Sequence, residues 1–311
     1  TTPLAHKDDI FETIIRPKIE YKENSYKLNY PSELIKKAHA GEAIDGATAY
    51  AVADFDTGKV VTSKNPDTAL PMASLTKIMS SIVALDLVDP SEEFIVKKEA
   101  QAQIPTKIGV VIDERLTLNE LLHASMMTSA NDAVEVIKDG IDAKYGDGVF
   151  MRAMNAKAEF LGLSSTHFTN PQGVDNPSHH SSVSDLLVLT HYALANYPLF
   201  SEIVRKDETL LSKSNAHGQF LLYNWNGLIG VYPGTFGVKI GNTGKARKTT
   251  VVAAERDGRK MLAVVLGAPD IKKRDLWAAT LLDIGFEEGY DMEPVAVSEE
   301  QLMEKYATWK Y

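Results

Sequence analysis

The stretch TTVVAAERDGRKMLAVVLG, Thr249 to Gly267, decides the fold. Two apolar runs flank Asp257-Gly258, and an Asp-Gly pair between such runs is the strongest short-range signal for a tight hairpin. Two antiparallel strands are therefore expected here, closed by a helix over 272–285. Far upstream, ATAYAVADF (47–55) alternates like a strand, and DTGK (56–59) reads as a turn into VVTS. Strands at both ends of the sequence with helices between them predict an α+β fold. It would have one antiparallel sheet pairing the N- and C-terminal segments, flanked by helices, plus a mostly helical subdomain.

The middle of the chain carries the helices. An apolar helix is expected from Ser74 to about Val88. Thr117 and Glu120 form the S/T-x-x-E capping box of a second helix, which carries LLHASMM. Further helices are expected at about 131–144, at 148–161 (Phe150, Met154, Ala158 and Leu161 share a face) and at 184–196, with Ser184 as the cap. No repeat or low-complexity linker divides the sequence. Residues 1–45 are polar and read as an N-terminal arm lying on the body, with FETIIRP a short helix closed by Pro17. Residues 46–286 then form the main domain and 287–311 a C-terminal tail. Within the tail, SEEQLMEKYATWKY predicts a short amphipathic helix with Leu302, Tyr306 and Trp309 on one face. Packing on the body is expected rather than membrane attachment, because Glu299, Glu300 and Glu304 disfavour an anionic surface.

Composition narrows the function. The 311 residues are 44% hydrophobic and 24% charged, normal for a soluble globular protein. A formal charge of −9 argues against nucleic acid or an anionic membrane as the main partner. With no cysteine there are no disulfides, zinc-thiolate sites or cysteine nucleophiles. The longest apolar run, Ile78 to Leu85, is stopped by Asp86, short of the ~18–20 residues that a membrane-spanning helix needs. TTPLAHKDD has no basic-then-apolar leader pattern. Either the protein is cytosolic, or a leader and any anchor lie outside this chain.

Three short patterns could carry chemistry. Ser74-Leu75-Thr76-Lys77 places a hydroxyl and an amine on one helix face. Serine is a poor nucleophile until a neighbour takes its proton. A lysine can do so when burial beside a helix N-terminus lowers its pKa. Ser129-Ala130-Asn131, in a break between helices, could relay a proton and hold a substrate carbonyl. Lys239-Ile240-Gly241 lies in a strand-like stretch. Each has an ordinary reading too: a surface first turn, a helix cap, a strand lysine beside a glycine bulge. S-x-N also occurs at Ser63-Lys64-Asn65, and K-x-G at Lys107 and Lys138.

Taken in order, S-x-x-K, S-x-N and K-x-G resemble the penicillin-recognising serine enzymes. DTGKVVTSKNPDTALPMASLTKIMS, LTLNELLHASMMTSANDA, MNAKAEFLGLSSTHFTNPQGVDNPSHH, FGVKIGNTGKA and RDGRKMLAVVLGAP resemble the low-molecular-mass D-alanyl-D-alanine carboxypeptidases over roughly residues 47–286. That resemblance implies the serine β-lactamase/DD-peptidase-like fold, no cofactor and no metal. It implies peptidoglycan pentapeptide stems as substrates, β-lactams as inhibitors and a place in the bacterial cell envelope, outside the cytoplasm. It also implies roles: Ser74 the acylated nucleophile, Lys77 its base, and Ser129 the proton donor to the leaving D-alanine. Asn131 would hold the peptide carbonyl, and Lys239 would orient Ser129 and add positive charge. Gly241 and Asn242 would complete the strand beside the substrate, with the N–H groups of Ser74 and Asn242 as oxyanion hole. Arg274 would pair with the substrate's terminal carboxylate.

Ile240 departs from the pattern, since the family has Thr or Ser there to hydrogen-bond that carboxylate. Such a bond contributes ~1.5–3 kcal/mol, so its loss costs roughly 10–100-fold. Thr243 is the nearest hydroxyl in sequence that could substitute. The departure keeps two alternatives open: an impaired penicillin-binding sensor, or a DD-endopeptidase of altered specificity. A β-lactamase is disfavoured because no E-x-x-L-N lies between Asn131 and Lys239. A zinc peptidase is disfavoured because the sequence has neither H-E-x-x-H nor H-x-H, and the adjacent His179 and His180 are read as structural.

Overall fold

The computed structural model describes residues 11–18, 22, 24–30, 44 and 46–309. Nine strands are present among them: β1 (Ala49–Asp54), β2 (Val60–Lys64), β3 (Glu93–Ile95), β4 (Arg115–Thr117), β5 (Glu208–Leu211), β6 (Phe220–Tyr223), β7 (Thr235–Thr243), β8 (Arg247–Arg256) and β9 (Arg259–Ala268). Five of them form one antiparallel sheet in the order β2-β1-β9-β8-β7, so the N-terminal hairpin pairs with the C-terminal one through Ala51↔Val264. Asp257 and Gly258 both take positive φ, 49° and 73°, which the tight β8–β9 turn requires. β3–β4 and β5–β6 are separate two-stranded antiparallel sheets that hydrophobic alternation did not reveal.

Successive side chains of a strand point to opposite faces, and here both faces are covered. Tyr50, Val52, Val252, Met261, Ala263 and Val265 pack under a long C-terminal helix, beside Trp277, Leu281 and Phe286. Their neighbours Ala51, Ala53, Val251, Leu262 and Val264 pack into the core of the helical subdomain. Burial on both sides explains why the central strands are apolar at nearly every position.

The helices are α1 (Thr76–Leu87), α2 (Lys98–Gln101), α3 (Leu118–Met126), α4 (Asn131–Tyr145), α5 (Val149–Phe160), α6 (Val183–Asn196), α7 (Pro198–Arg205), α8 (Ile271–Tyr290) and α9 (Glu299–Ala307). Thr117 and Glu120 make the reciprocal capping box at the head of α3. At α6 the cap is Ser182, not Ser184: the Ser182 hydroxyl accepts from Asp185 N, while Ser184 Oγ, one residue inside the helix, bonds Asp67 and Tyr30. The FETIIRP turn continues through Pro17 to Lys18 rather than ending at the proline, whose ring is tolerated in a first turn. The expected arm falls partly outside the described residues. Of what is described, Asn29 bridges Lys59 and Tyr26 Oη donates to Asp54 O (3.0 Å), which lays this segment along β1–β2.

The tail also lies on the body. Ser298 and Gln301 form the capping box of α9, Leu302 is fully buried against the α8 side of the sheet, and Lys305 reaches Asp207 at 2.6 Å. No helix among the described residues is long and apolar enough to cross a membrane.

Candidate active site

Ser74 sits in a single 3₁₀ turn, Ala73–Leu75, that feeds directly into α1. Ala73 holds φ at 53°, a conformation that costs an L-residue energy unless its surroundings enforce it. A chain of hydrogen bonds does so. Thr169 N donates to His179 Nδ1 (3.1 Å), so the proton of the neutral imidazole resides on Nε2, which donates to Thr76 Oγ1 (2.7 Å). Thr76 Oγ1 in turn donates to Ala73 O (2.8 Å). Burial keeps His179 neutral by lowering its pKa to about 4, with His180 and His167 adding to the effect. From the sheet side, Thr249 Oγ1 donates to Met72 O at 3.1 Å.

Lys77 follows one turn later and is completely buried. Its Nζ lies 3.0 Å from Ser74 Oγ, 2.7 Å from Asn131 Oδ1 and 2.8 Å from Gln172 O. Burial lowers its pKa to about 7, against the opposing pull of Asp132. The two amide carbonyls can only accept. In the neutral amine they take its two N–H bonds, and the lone pair is left facing the Ser74 hydroxyl. The arrangement orients the amine as a proton acceptor.

Ser129 occupies the break between α3 and α4, and Asn131 opens α4. Ser129 is buried with φ at 61°, another enforced left-handed conformation in the cleft. The amide of Asn131 spans two partners, with Oδ1 toward Lys77 and Nδ2 donating to Ile104 O at 3.1 Å. Asp132, which sequence reading passed over, anchors the facing loop. Its carboxylate accepts from Ile108 N (3.2 Å), Gly109 N (2.8 Å) and Val110 N (3.3 Å). The signal was available as an acid in the first turn of α4, where it faces amide donors, but a helix start attracts acids anyway.

β7 is the sheet's edge strand and forms the opposite wall. Lys239 is buried, its pKa pushed well below the usual range first by burial and then by the charges of Lys77 and Arg274. Its Nζ donates to Ile240 O at 3.1 Å; among the described residues no hydrogen bond joins it to Ser129. Gly241 is required by close approach: a Cβ there would come 2.9 Å from Ser74 N and 2.5 Å from Thr249 Oγ1. Ile240 is buried and lines the cleft. Thr243 does not replace the missing hydroxyl, because its Oγ1 donates to Asp175 Oδ1 at 2.6 Å.

Arg274 lies in the first turn of α8 and is 2% exposed. Asp275 holds it through Nε (2.7 Å) and one Nη2 N–H (2.9 Å), while Nη1 makes no hydrogen bond among the described residues. Ser74, Ser129, Ile240, Asn242, Arg274, Trp225 and Trp309 surround one cavity of about 340 Å³. On its other side Ser74 borders a second of about 300 Å³, lined by Asn131, Gly173, Asp175 and Asn242. The structure thus gathers the other seven sequence-predicted site residues around Ser74: Lys77 by a direct bond and Asn131 through Lys77, Lys239 and Gly241 through β7, Asn242 and Arg274 as walls, and Ser129 across the cleft. Trp225 and Trp309 were not foreseen as lining residues: Trp225 falls in no recognisable pattern, and Trp309 was read only as part of the packing face of the tail.

A serine and a buried lysine at the foot of a helix, beside the edge strand of this antiparallel sheet, make the architecture of the penicillin-recognising serine peptidases. The chain belongs to the D-alanyl-D-alanine carboxypeptidase family, whose profile matches residues 36–270. It is 36% identical over 246 residues to the D-alanyl-D-alanine carboxypeptidase DacB2 of Mycobacterium tuberculosis, covering 77% of this chain and 82% of that one. It is 30% identical over 272 residues to DacF of Bacillus subtilis, covering 85% and 69%. Among solved structures, the Streptomyces K15 DD-transpeptidase superposes with a TM-score of 0.72 at 27% identity, over 78% of this chain and 97% of that one.

Proposed function

We propose that this chain is a serine D-Ala-D-Ala carboxypeptidase that shortens peptidoglycan stem peptides at the bacterial cell envelope. Ser74 Oγ attacks the carbonyl of the penultimate D-alanine while Lys77 Nζ takes the hydroxyl proton. The carbonyl oxygen becomes an oxyanion held by the N–H groups of Ser74 and Asn242. As the C–N bond breaks, Ser129 gives a proton to the departing amine of the last D-alanine and is re-protonated from the lysine. Water then releases the acyl group and regenerates Ser74. Arg274 receives the substrate's terminal carboxylate, and Asn131 offers its second amide N–H to the peptide. The free edge of β7 beside Gly241 and Asn242 suits an extended peptide, because an edge strand leaves backbone donors and acceptors unpaired.

The observation that carries this reading is the Lys77 amine, fixed by two carbonyls with Ser74 Oγ 3.0 Å away. The same geometry disfavours the sensor reading, since a site that only binds has no need of an oriented, partly neutral lysine. β-Lactams, which carry a carboxylate beside their reactive carbonyl, are expected to acylate Ser74. Mass spectrometry of a D-Ala-D-Ala-terminated muropeptide before and after incubation tests the proposal. Loss of one alanine by wild type and none by Ser74→Ala is expected; an unchanged peptide, or release that persists in Ser74→Ala, rejects it.

A further inference from the structure

The cavity that takes in Arg274 has a wall supplied from outside the family match, which ends at residue 270. Trp309, just beyond α9, lines it and is 9% exposed. Its indole Nε1 is buried and has no hydrogen-bond partner among the described residues. A buried indole N–H ordinarily finds an acceptor, and leaving it unpaired is costly. Nε1 itself has almost no accessible surface, so an acceptor brought by a ligand reaches it, and removes that cost, only as the indole turns toward the cavity.

Trp309 is also tied to the arginine. Tyr306, one turn earlier, donates its Oη to Asp275 Oδ2 at 2.7 Å, and the same Asp275 carboxylate holds Arg274. The Tyr306 and Trp309 rings touch, with centroids 4.9 Å apart. Gly227 lets this cluster close, since a Cβ there would meet Asp275 Oδ2 at 2.3 Å and the Tyr306 ring at 2.7 Å. Arg274, Asp275, Tyr306 and Trp309 thus form one assembly joining α8 to the tail. On the same cavity Ile240 offers no side-chain donor, and Thr243, which lines the neighbouring cavity, has its hydroxyl committed to Asp175.

We propose that Trp309 is a substrate-binding residue contributed by the C-terminal tail: its indole N–H donates to the terminal carboxylate of the leaving D-amino acid, alongside Arg274, in a site where Ile240 cannot. The assignment rests on the reading above, in which this cavity receives that carboxylate. It makes the tail part of the active site.

The test compares wild type with Trp309→Phe, which keeps an aromatic ring but removes the N–H together with the five-membered half of the indole. Each is assayed on a D-Ala-D-Ala-terminated peptide and on the same peptide with its terminal carboxyl amidated. Trp309→Phe should lower kcat/KM on the free acid about 10-fold, mostly through KM, and change the amide by less than about 2-fold. Adding Ile240→Thr should rescue free-acid activity by a larger factor in Trp309→Phe than in wild type, an excess that a folding defect would not produce. Equal losses on both peptides, no loss on either, or failure of the rescue would overturn the assignment. If wild type itself releases no D-alanine, the carboxypeptidase reading falls and this inference with it; normal release combined with an unimpaired Trp309→Phe removes the inference alone.

Discussion

Gly241 stands against Ser74 so closely that a single methyl group would not fit: a Cβ on Gly241 would lie 2.9 Å from the Ser74 amide nitrogen, 2.9 Å from Ala73 Cβ and 2.5 Å from Thr249 Oγ1. Two of these contacts are backbone or its immediate attachment, which cannot swing aside. Gly241→Ala should therefore push β7 away from the Ser74 turn and widen the gap across which an oxyanion would be held. Overpacking of this kind costs ~1–3 kcal/mol of stability, and catalysis should suffer more than the fold. The expected outcome is a penicillin-acylation rate down by roughly 100-fold, on the scale of losing one oxyanion donor, with a folded protein by circular dichroism. A variant that acylates at the wild-type rate would show that β7 has slack here.

Lys77 makes acylation pH-dependent. With a pKa lowered to about 7 by burial, the amine is mostly protonated at pH 6 and mostly neutral at pH 8. The neutral form is the base, so the acylation rate should rise with pH and level off above about 8. Asp132 opposes the lowering, so Asp132→Asn should move the midpoint down in pH as well as loosening the 108–110 loop. Stopped-flow acylation by a chromogenic cephalosporin from pH 5 to 9 measures both. A flat profile with chemistry rate-limiting, or a midpoint that rises in Asp132→Asn, contradicts the assignment.

His179 should make stability acid-sensitive. In the unfolded chain an ordinary histidine titrates near 6.5, whereas in the fold burial holds His179 near 4. Between those values the folded protein binds fewer protons than the unfolded one. The stability due to a neutral His179 is therefore complete above about pH 6.5 and is lost as pH falls through 4. His191, lowered to about 4 by burial, acts in the same direction. Calorimetry should show Tm falling from pH 7 to pH 4, and falling less steeply in His179→Asn. Identical slopes in the two proteins would mean that the Thr169–His179–Thr76 chain does not depend on the neutral imidazole.

How much of this was legible beforehand follows from the range of each interaction. The Asp257-Gly258 hairpin and the Thr117–Glu120 box were readable because turn and cap chemistry is settled within four residues. The β3–β4 and β5–β6 pairs were not, since strands of three and four residues carry too little alternation to stand out. Ser182 lost its place to Ser184 in the reading of α6 because either serine can cap, and only packing decides which hydroxyl faces the helix. Ser74 and Lys77 came from their own spacing, and Asn131 and Lys239 from the order of motifs. Nothing local placed Gln172 O on Lys77 or Asp275 between Arg274 and Tyr306, for those contacts join segments that meet only in the folded chain.

Ile240→Thr is the substitution that tests the carboxylate site most directly. The threonine would restore a hydroxyl donor on the cavity wall, and a hydrogen bond to a charged group is worth ~1.5–3 kcal/mol. The gain in kcat/KM on D-Ala-D-Ala peptides should fall at the low end, about 10-fold, because Arg274 and Trp309 already face the same cavity. Arg274→Ala should cost more in the wild-type background than in Ile240→Thr, where a second side-chain donor remains. The competing possibility is that Ile240 packs against a substrate lacking a free carboxylate, such as an amidated or cross-linked peptide. In that case Ile240→Thr would leave D-Ala-D-Ala turnover flat and reduce turnover of the other substrate. Both peptides, assayed with wild type and with the single and double variants, separate the two. A kcat/KM on the D-Ala-D-Ala peptide that stays unchanged or falls would assign the cavity to the second kind of substrate.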